Sequence, residues 1–178
     1  MKNIFYPLLA ATVLLTSAMY VSPLQDFKIA DGYSIAFKSK DPSGVFKTMK
    51  GTIKFDEADL ANSKFDLQFV VSSISTGNGM MNKKAQIEEW FNAAKYPEIK
   101  FTSTKVVKSG SDYSVSGKLT IKGITKEKNI PLKATKAGSG YTFSGSFGVN
   151  RMDFKVGHKS DAVPEVMNIS YSIPVLKK

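Results

Sequence analysis

The chain has no cysteine, and only one histidine (His158), one arginine (Arg151) and one tryptophan (Trp90). Without cysteine there is no disulfide and no lipid attachment through an N-terminal thiol, so the fold must rest on its core alone. With no cysteine and one histidine, metal clusters of the usual His/Cys type are excluded, and neither a metal nor a cofactor is expected. His158 is the only candidate base. It sits in Gly157-His158-Lys159-Ser160-Asp161. Residues this adjacent do not easily converge as a triad, whose members are normally distant in sequence. The two carboxylate clusters, Asp56, Glu57 and Asp59 and then Glu88-Glu89, read as solvated surface. The expectation is therefore a protein that is not an enzyme.

Long apolar runs are also scarce. One occurs at the start, where Ile4 to Leu15 follows the positive Lys2. It is too short for the roughly 20 residues that span a bilayer as a helix. Thr16-Ser17-Ala18 supplies small residues at a cleavage position. Residues 1–22 read as a signal peptide and 23–178 as one domain in a periplasmic or secreted setting; an uncleaved N-terminal anchor is the alternative. A domain of that length buries about 70% of the surface its unfolded chain exposes.

What the chain has in quantity is short stretches of period two. Tyr33, Ile35 and Phe37 alternate with polar neighbours, as do Gly51, Ile53 and Phe55, then Phe65, Leu67, Phe69 and Val71. After residue 98 the apolar sets are Ile99 and Phe101; Tyr113, Val115, Gly117, Leu119 and Ile121; and Ile130, Leu132 and Ala134. The last two are Tyr141, Phe143, Gly145, Phe147 and Val149, and Met167, Ile169, Tyr171, Ile173 and Val175. These make about eight strands with one apolar and one polar face. Asp41-Pro42-Ser43-Gly44, Ser109-Gly110-Ser111-Asp112 and Gly138-Ser139-Gly140 are hairpin-length connections. The pattern predicts an antiparallel meander, closed as a barrel or stacked as a sandwich. Pro131 and Pro174 each remove a ladder donor and should mark an edge, a bulge or a strand end. No charged residue falls on the apolar faces as read here.

Between Ile74 and Thr104 the period changes. Ile87, Trp90, Phe91 and Ala94 fall at helical spacing, with Met80 on the same side, so a helix is predicted over about 79–94. Asn78 is its N-cap and Pro97 its terminator. Its apolar face should lie across an open barrel end or against the outside of a sheet. Met80, Met81 and Trp90 could form a lid or simply close the core.

The net charge of +10 invites a nucleic-acid reading. Single-strand binders need aromatic platforms on the charged face. Here the aromatics alternate away from the lysines, so no nucleic-acid partner is expected; a basic exterior suits peripheral contact with an anionic membrane at low specificity. Arg151, in Asn150-Arg151-Met152-Asp153-Phe154, reads as a structural pair with Asp153 or a strand-end carbonyl, the alternative being a headgroup contact.

Several of these segments carry a resemblance. Gly51-Thr52-Ile53-Lys54-Phe55-Asp56, Ser73-Ile74-Ser75-Thr76-Gly77-Asn78, Trp90-Phe91 with Lys95-Tyr96-Pro97 through Phe101, Leu119 through Lys126, and Asn150 through Phe154 together resemble the YceI-like family of lipocalin-like, polyisoprenoid-binding secreted bacterial proteins. The resemblance implies a lipocalin-like eight-stranded antiparallel β-barrel, with the helix near its mouth, binding a long apolar chain (isoprenoid or fatty-acyl) in its lumen. Histidines that family members often carry are replaced around Tyr33, at Lys38 and at Lys84, so chemistry dependent on them is not carried over. The residues expected to line the lumen or cover its mouth are Tyr33, Phe37, Phe65, Phe69, Met80, Met81, Ile87, Trp90, Phe101, Tyr113, Val115, Leu119, Phe143, Phe147, Ile169 and Tyr171. The competing expectation is a filled-core module that works through its basic surface on an acidic partner or anionic membrane. The oligomeric state is left open, a homodimer included.

Overall fold

The structure is a computed structural model that describes residues 24–159 and 162–178. The expected signal peptide, and Ser160 and Asp161 of the histidine segment, lie outside the described residues. Among the described residues the strands are β1 (Asp26–Ile29), β2 (Ser34–Lys38), β3 (Ser43–Phe46), β4 (Met49–Lys54), β5 (Lys64–Val70), β6 (Ile74–Ser75), β7 (Glu98–Ser109), β8 (Asp112–Ile121), β9 (Ile124–Ala137), β10 (Gly140–Asn150) and β11 (Val166–Lys177), with one α-helix, α1 (Gly79–Gln86).

All pairings are antiparallel, and the sheet closes because β1 pairs with both β4 and β11. Closure selects the barrel over the sandwich. The ring runs β1, β4, β5, β7, β8, β9, β10, β11, which is eight staves in chain order. The short strands β2, β3 and β6 continue three of these staves. Phe27 faces Ile53 across β1–β4, and Ala36 faces Val45 across β2–β3, so the two ladders share a hairpin and differ by one residue of register.

The bends in these staves are tied to one another. The Tyr33 hydroxyl lies between β1 and β2; it donates to the Lys47 carbonyl (2.9 Å) and accepts from the Met49 amide (3.0 Å), across the break between β3 and β4. Ser73 Oγ, in the 3-10 turn Val71–Ser73 between β5 and β6, accepts from the Thr48 amide (3.0 Å) and donates to the Val70 carbonyl (2.7 Å). Backbone groups freed by the bends thereby keep partners, which a buried wall requires.

Both prolines fall where a ladder donor is not needed. Pro174 sits where the partner of β11 changes from β2, last paired at Ser172–Ser34, to β1, first paired at Val175–Ile29. Pro131 stands just past Lys133–Ser144, where the β9–β10 ladder ends. The inward glycines relieve crowding: a Cβ on Gly117 would lie 2.6 Å from the Phe101 ring, and one on Gly145 2.3 Å from the Pro131 carbonyl.

The helix is shorter than the spacing predicts. Asn78 caps it as expected, its Oδ1 accepting from the amides of Met80 (2.9 Å) and Met81 (3.3 Å). It ends at Gln86, where the extended Ile87 is followed by a tight reversal through Asn92 at φ 50°. The amides of Phe91 and Ala93 turn back onto the carbonyls of Ala85 and Gln86. The reason is electrostatic: Glu88 and Glu89 would place two negative charges at the negative end of the helix, where Lys83 and Lys84 are favourable instead. Ile87 therefore turns outward and does not share a face with Trp90 and Phe91.

Candidate functional site

One end of the barrel is filled. Phe55 stacks edge-on against Tyr113, Tyr141 and Phe143 at centroid distances of 5.3, 5.3 and 5.2 Å, and Phe65 meets Phe143 at 5.4 Å. Phe27 closes the group against Tyr141 at 5.6 Å. These T-shaped contacts suit the ring quadrupoles. Tyr113 and Tyr141 sit at the rim of this plug. Burial first, and then the charge of Glu57, pushes the Tyr141 hydroxyl up to about 12, and Tyr113 is raised for the same two reasons with Asp112 added.

The other end is hollow. A cavity of about 340 Å³ runs from the plug to the segment 76–91, with an almost wholly apolar lining. That is within the range of small-molecule sites, roughly 300–1,000 Å³. The filled-core alternative therefore does not describe this barrel. Of the residues expected at the lumen, Phe37, Phe65, Phe69, Met81, Trp90, Phe101, Val115, Leu119, Phe143, Phe147, Ile169 and Tyr171 line the cavity. Four do not. Tyr33 is used at the stave bends, and Tyr113 belongs to the plug rim. Met80 is 79% exposed and Ile87 49% exposed on the outward side of the helix segment. The mouth is covered instead by Met81, Ala85, Trp90 and Phe91.

The lining also includes residues absent from the expected set. Ile35, Leu67, Ile99, Ile121, Ile130, Leu132, Val149 and Ile173 were legible as inward positions of their strands, whereas Phe46, Val156 and Val163 lie outside the period-two stretches. Lys84 and Arg151 in the lining are a correction to the uncharged interior, and Lys128, outside the lining, adds a charge at an inward strand position. Strand β9 begins at Ile124, so Lys128 pairs with Gly117 and is in phase with Ile130 and Leu132 on the inner side. Tyr171 is one of the polar residues of the lining, with Thr76, Lys84 and Arg151; its hydroxyl donates to the Pro131 carbonyl (2.6 Å), and burial raises its pKa.

Above the cavity, Trp90 packs flat against Gly157, where a Cβ would come within 2.9 Å of the ring and where φ is +68°. Arg151 lies 5.5 Å and Lys84 5.8 Å from the indole centre, both in cation–π range. Arg151 is buried, and its donors go to the carbonyls of Val156 (2.7 Å), His158 (2.7 Å), Val163 (2.9 Å) and Pro164 (3.1 Å), with Met152 Sδ at 3.2 Å. A guanidinium has five N–H donors. All five are engaged, so Arg151 holds the loop after β10 through loop carbonyls, neither through Asp153 nor through a strand-end carbonyl, and has none left for a headgroup. His158 is exposed, with Glu89 Oε1 3.4 Å from its Nε2. Among the described residues no group of three or more His, Cys, Asp or Glu side chains could hold a metal ion.

A closed up-and-down barrel with one plugged end and an apolar interior defines a class, the lipocalin-like barrels. The comparison with known proteins narrows it: the model of the YceI-like domain matches residues 27–175, and the chain belongs to that family. A UPF0312 protein of Photorhabdus laumondii is 32% identical over 136 residues, which is 71% of each chain. Other curated relatives are matched over about half of their length, 50%. Among solved structures, BcnA of Burkholderia cenocepacia superposes with a TM-score of 0.75 at 28% identity, covering 79% of this chain and 94% of that one. A polyisoprenoid binding domain from Saccharophagus degradans, implicated in plant cell wall breakdown, shares the fold at a TM-score of 0.66 and 14% identity, over 87% of this chain and 99% of that domain.

Proposed function

We propose that this protein is a non-catalytic carrier that takes a long apolar chain, isoprenoid or fatty-acyl, into the barrel lumen. The observation that carries the reading is the cavity of about 340 Å³ with its apolar walls. Water in such a space finds almost no hydrogen-bond partner, whereas each methylene moved into it from water is favourable by about 0.8 kcal/mol. The polyisoprenoid-binding domain that shares this fold adds support at the level of ligand class. The same reading puts the protein in the periplasm or outside the cell, with residues 1–22 removed on export. Its lysine surface suits low-specificity contact with an anionic membrane, from which a chain would be drawn.

The test is native mass spectrometry of the purified protein, followed by organic extraction and mass analysis of what is released. A stoichiometric apolar chain of defined mass is the expected result. An apo mass that stays unchanged after incubation with prenyl and fatty-acyl lipids would overturn the reading.

A further inference from the structure

The barrel wall is not uniformly sealed. Strand β10 makes ten ladder pairs with β11 but five with β9. The five are Gly140–Ser144 against Lys133–Ala137, next to the plugged end. From Pro131 toward the mouth, β9 is paired with β8 alone and β10 with β11 alone. The cause is local. Pro131 has no N–H to give, and its carbonyl already crowds the Gly145 backbone, where a Cβ would sit at 2.3 Å.

Beyond that point two side chains cross the seam in place of a ladder. Tyr171 Oη donates to the Pro131 carbonyl (2.6 Å), and Lys128 Nζ donates to the Gly148 carbonyl (3.0 Å). No ladder pair joins β9 and β10 here, and the link is made by a lysine side chain. Directly inside are Ile130, Phe147 and Val149, all of which line the cavity. The lid over the mouth is tied down more firmly. The Glu89 carbonyl accepts from the Gly157 amide (2.9 Å) and from Lys122 Nζ (3.1 Å), Lys122 also reaches the Lys155 carbonyl (2.8 Å), and Trp90 is packed on Gly157.

We propose that the unpaired half of the β9–β10 boundary is a lateral portal of the lumen. An apolar chain enters and leaves through it, with Lys128 as the latch. This rests on the carrier reading above and adds the route and the latch to it.

The absence of cysteine gives a clean test. In Lys128→Cys/Gly148→Cys, a short bis-maleimide joins the two thiols and replaces the lysine bridge by a covalent one. Gly148 accepts a side chain, since a Cβ there meets only Val166 Cγ1 at 3.4 Å. The control is Lys133→Cys/Ser144→Cys, a pair already opposed in the ladder. The probe is cis-parinaric acid, and its uptake is followed in stopped flow by energy transfer from Trp90. Uptake should slow by an order of magnitude or more when the Lys128/Gly148 pair is joined, and stay unchanged when the control pair is joined. Lys128→Met, which keeps the stem and removes the donor, should take up the probe roughly fivefold faster. Equal rates for joined and unjoined Lys128/Gly148 protein, or an unaltered rate in Lys128→Met, would overturn the portal while leaving the carrier reading intact. No energy transfer at equilibrium in the unaltered protein would remove the carrier reading and the portal together.

Discussion

The two ends of this barrel are built from the same period-two strands and do opposite things. At one end Phe27, Phe55, Phe65, Tyr141 and Phe143 pack ring against ring, mostly edge to face. At the other end the inward residues are mostly aliphatic, the staves bend, and a cavity remains beneath Trp90. The number of staves is the same at both ends, so strand count does not decide the difference. Interior volume at an eight-stranded barrel can be filled or left for one ligand. What decides it here is where large rings face one another and where the wall is interrupted. Alternation alone specifies a wall; the identity of the inward residue at each height specifies plug or lumen.

The contrast predicts that the plug carries stability and the lumen carries binding. Phe143 is 1% exposed and touches Phe27, Phe55, Phe65 and Tyr141. Phe143→Ala should lower unfolding stability by about 3–5 kcal/mol in denaturant titration, whereas the half-buried Phe147, whose ring contact is Tyr171 at 6.4 Å, should give about 1–2 kcal/mol on the same substitution. Equal losses would break the contrast. Arg151→Met should follow at about 3 kcal/mol, because several buried loop carbonyls lose their donors together. The same change should leave the plug intact, seen as unchanged near-ultraviolet signals from its tyrosines.

A pH titration separates the ends in another way. The Tyr141 hydroxyl has its folded pKa raised to about 12 from the ordinary 10. Between those values the unfolded chain ionises and the folded chain does not. Its contribution is therefore complete below about pH 10 and is lost as pH rises toward about 12. Stability should fall over that window, and Tyr141→Phe should flatten the fall. An identical alkaline profile in Tyr141→Phe would assign the loss to other tyrosines, Tyr171 at the open end among them.

Much of this was legible in advance, for a physical reason: strand phase, the Asn78 cap and the places of Pro131 and Pro174 depend on local chemistry. Closure was not, because the pairing of Phe27 with Lys177 joins the two ends of the domain and no local pattern encodes it. The lining residues of the strands follow from phase, but which of them face a void depends on neighbours across the barrel. The inward phase of Lys128 is not marked in the sequence, because Thr125-Lys126-Glu127-Lys128 contains no apolar residue. The opposed Thr120 and Thr125, whose hydroxyls lie 2.8 Å apart, show that the hairpin Leu119 through Lys126 already implied a strand there. The helix stops short of what helical spacing predicts because Glu88-Glu89 bring negative charge to its C-terminal end.

The smallest expected effect is the sharpest on the lid. Met80 and Ile87 looked like mouth-covering residues by spacing, yet they point to solvent, and exposed substitutions away from caps and networks usually change stability by less than about 0.5 kcal/mol. Met80→Ser and Ile87→Ser should leave both stability and the equilibrium binding of cis-parinaric acid in place. Met81, one residue from Met80, faces the cavity, so Met81→Ser should weaken that binding, roughly tenfold if the probe contacts it, with little loss of stability. The three variants share one short segment and differ only in which way the side chain faces. If Met80→Ser weakens binding as much as Met81→Ser, the segment repacks around the ligand and the lid is a moving part; if Met81→Ser alone does so, chain and lid meet on the one face that α1 turns inward.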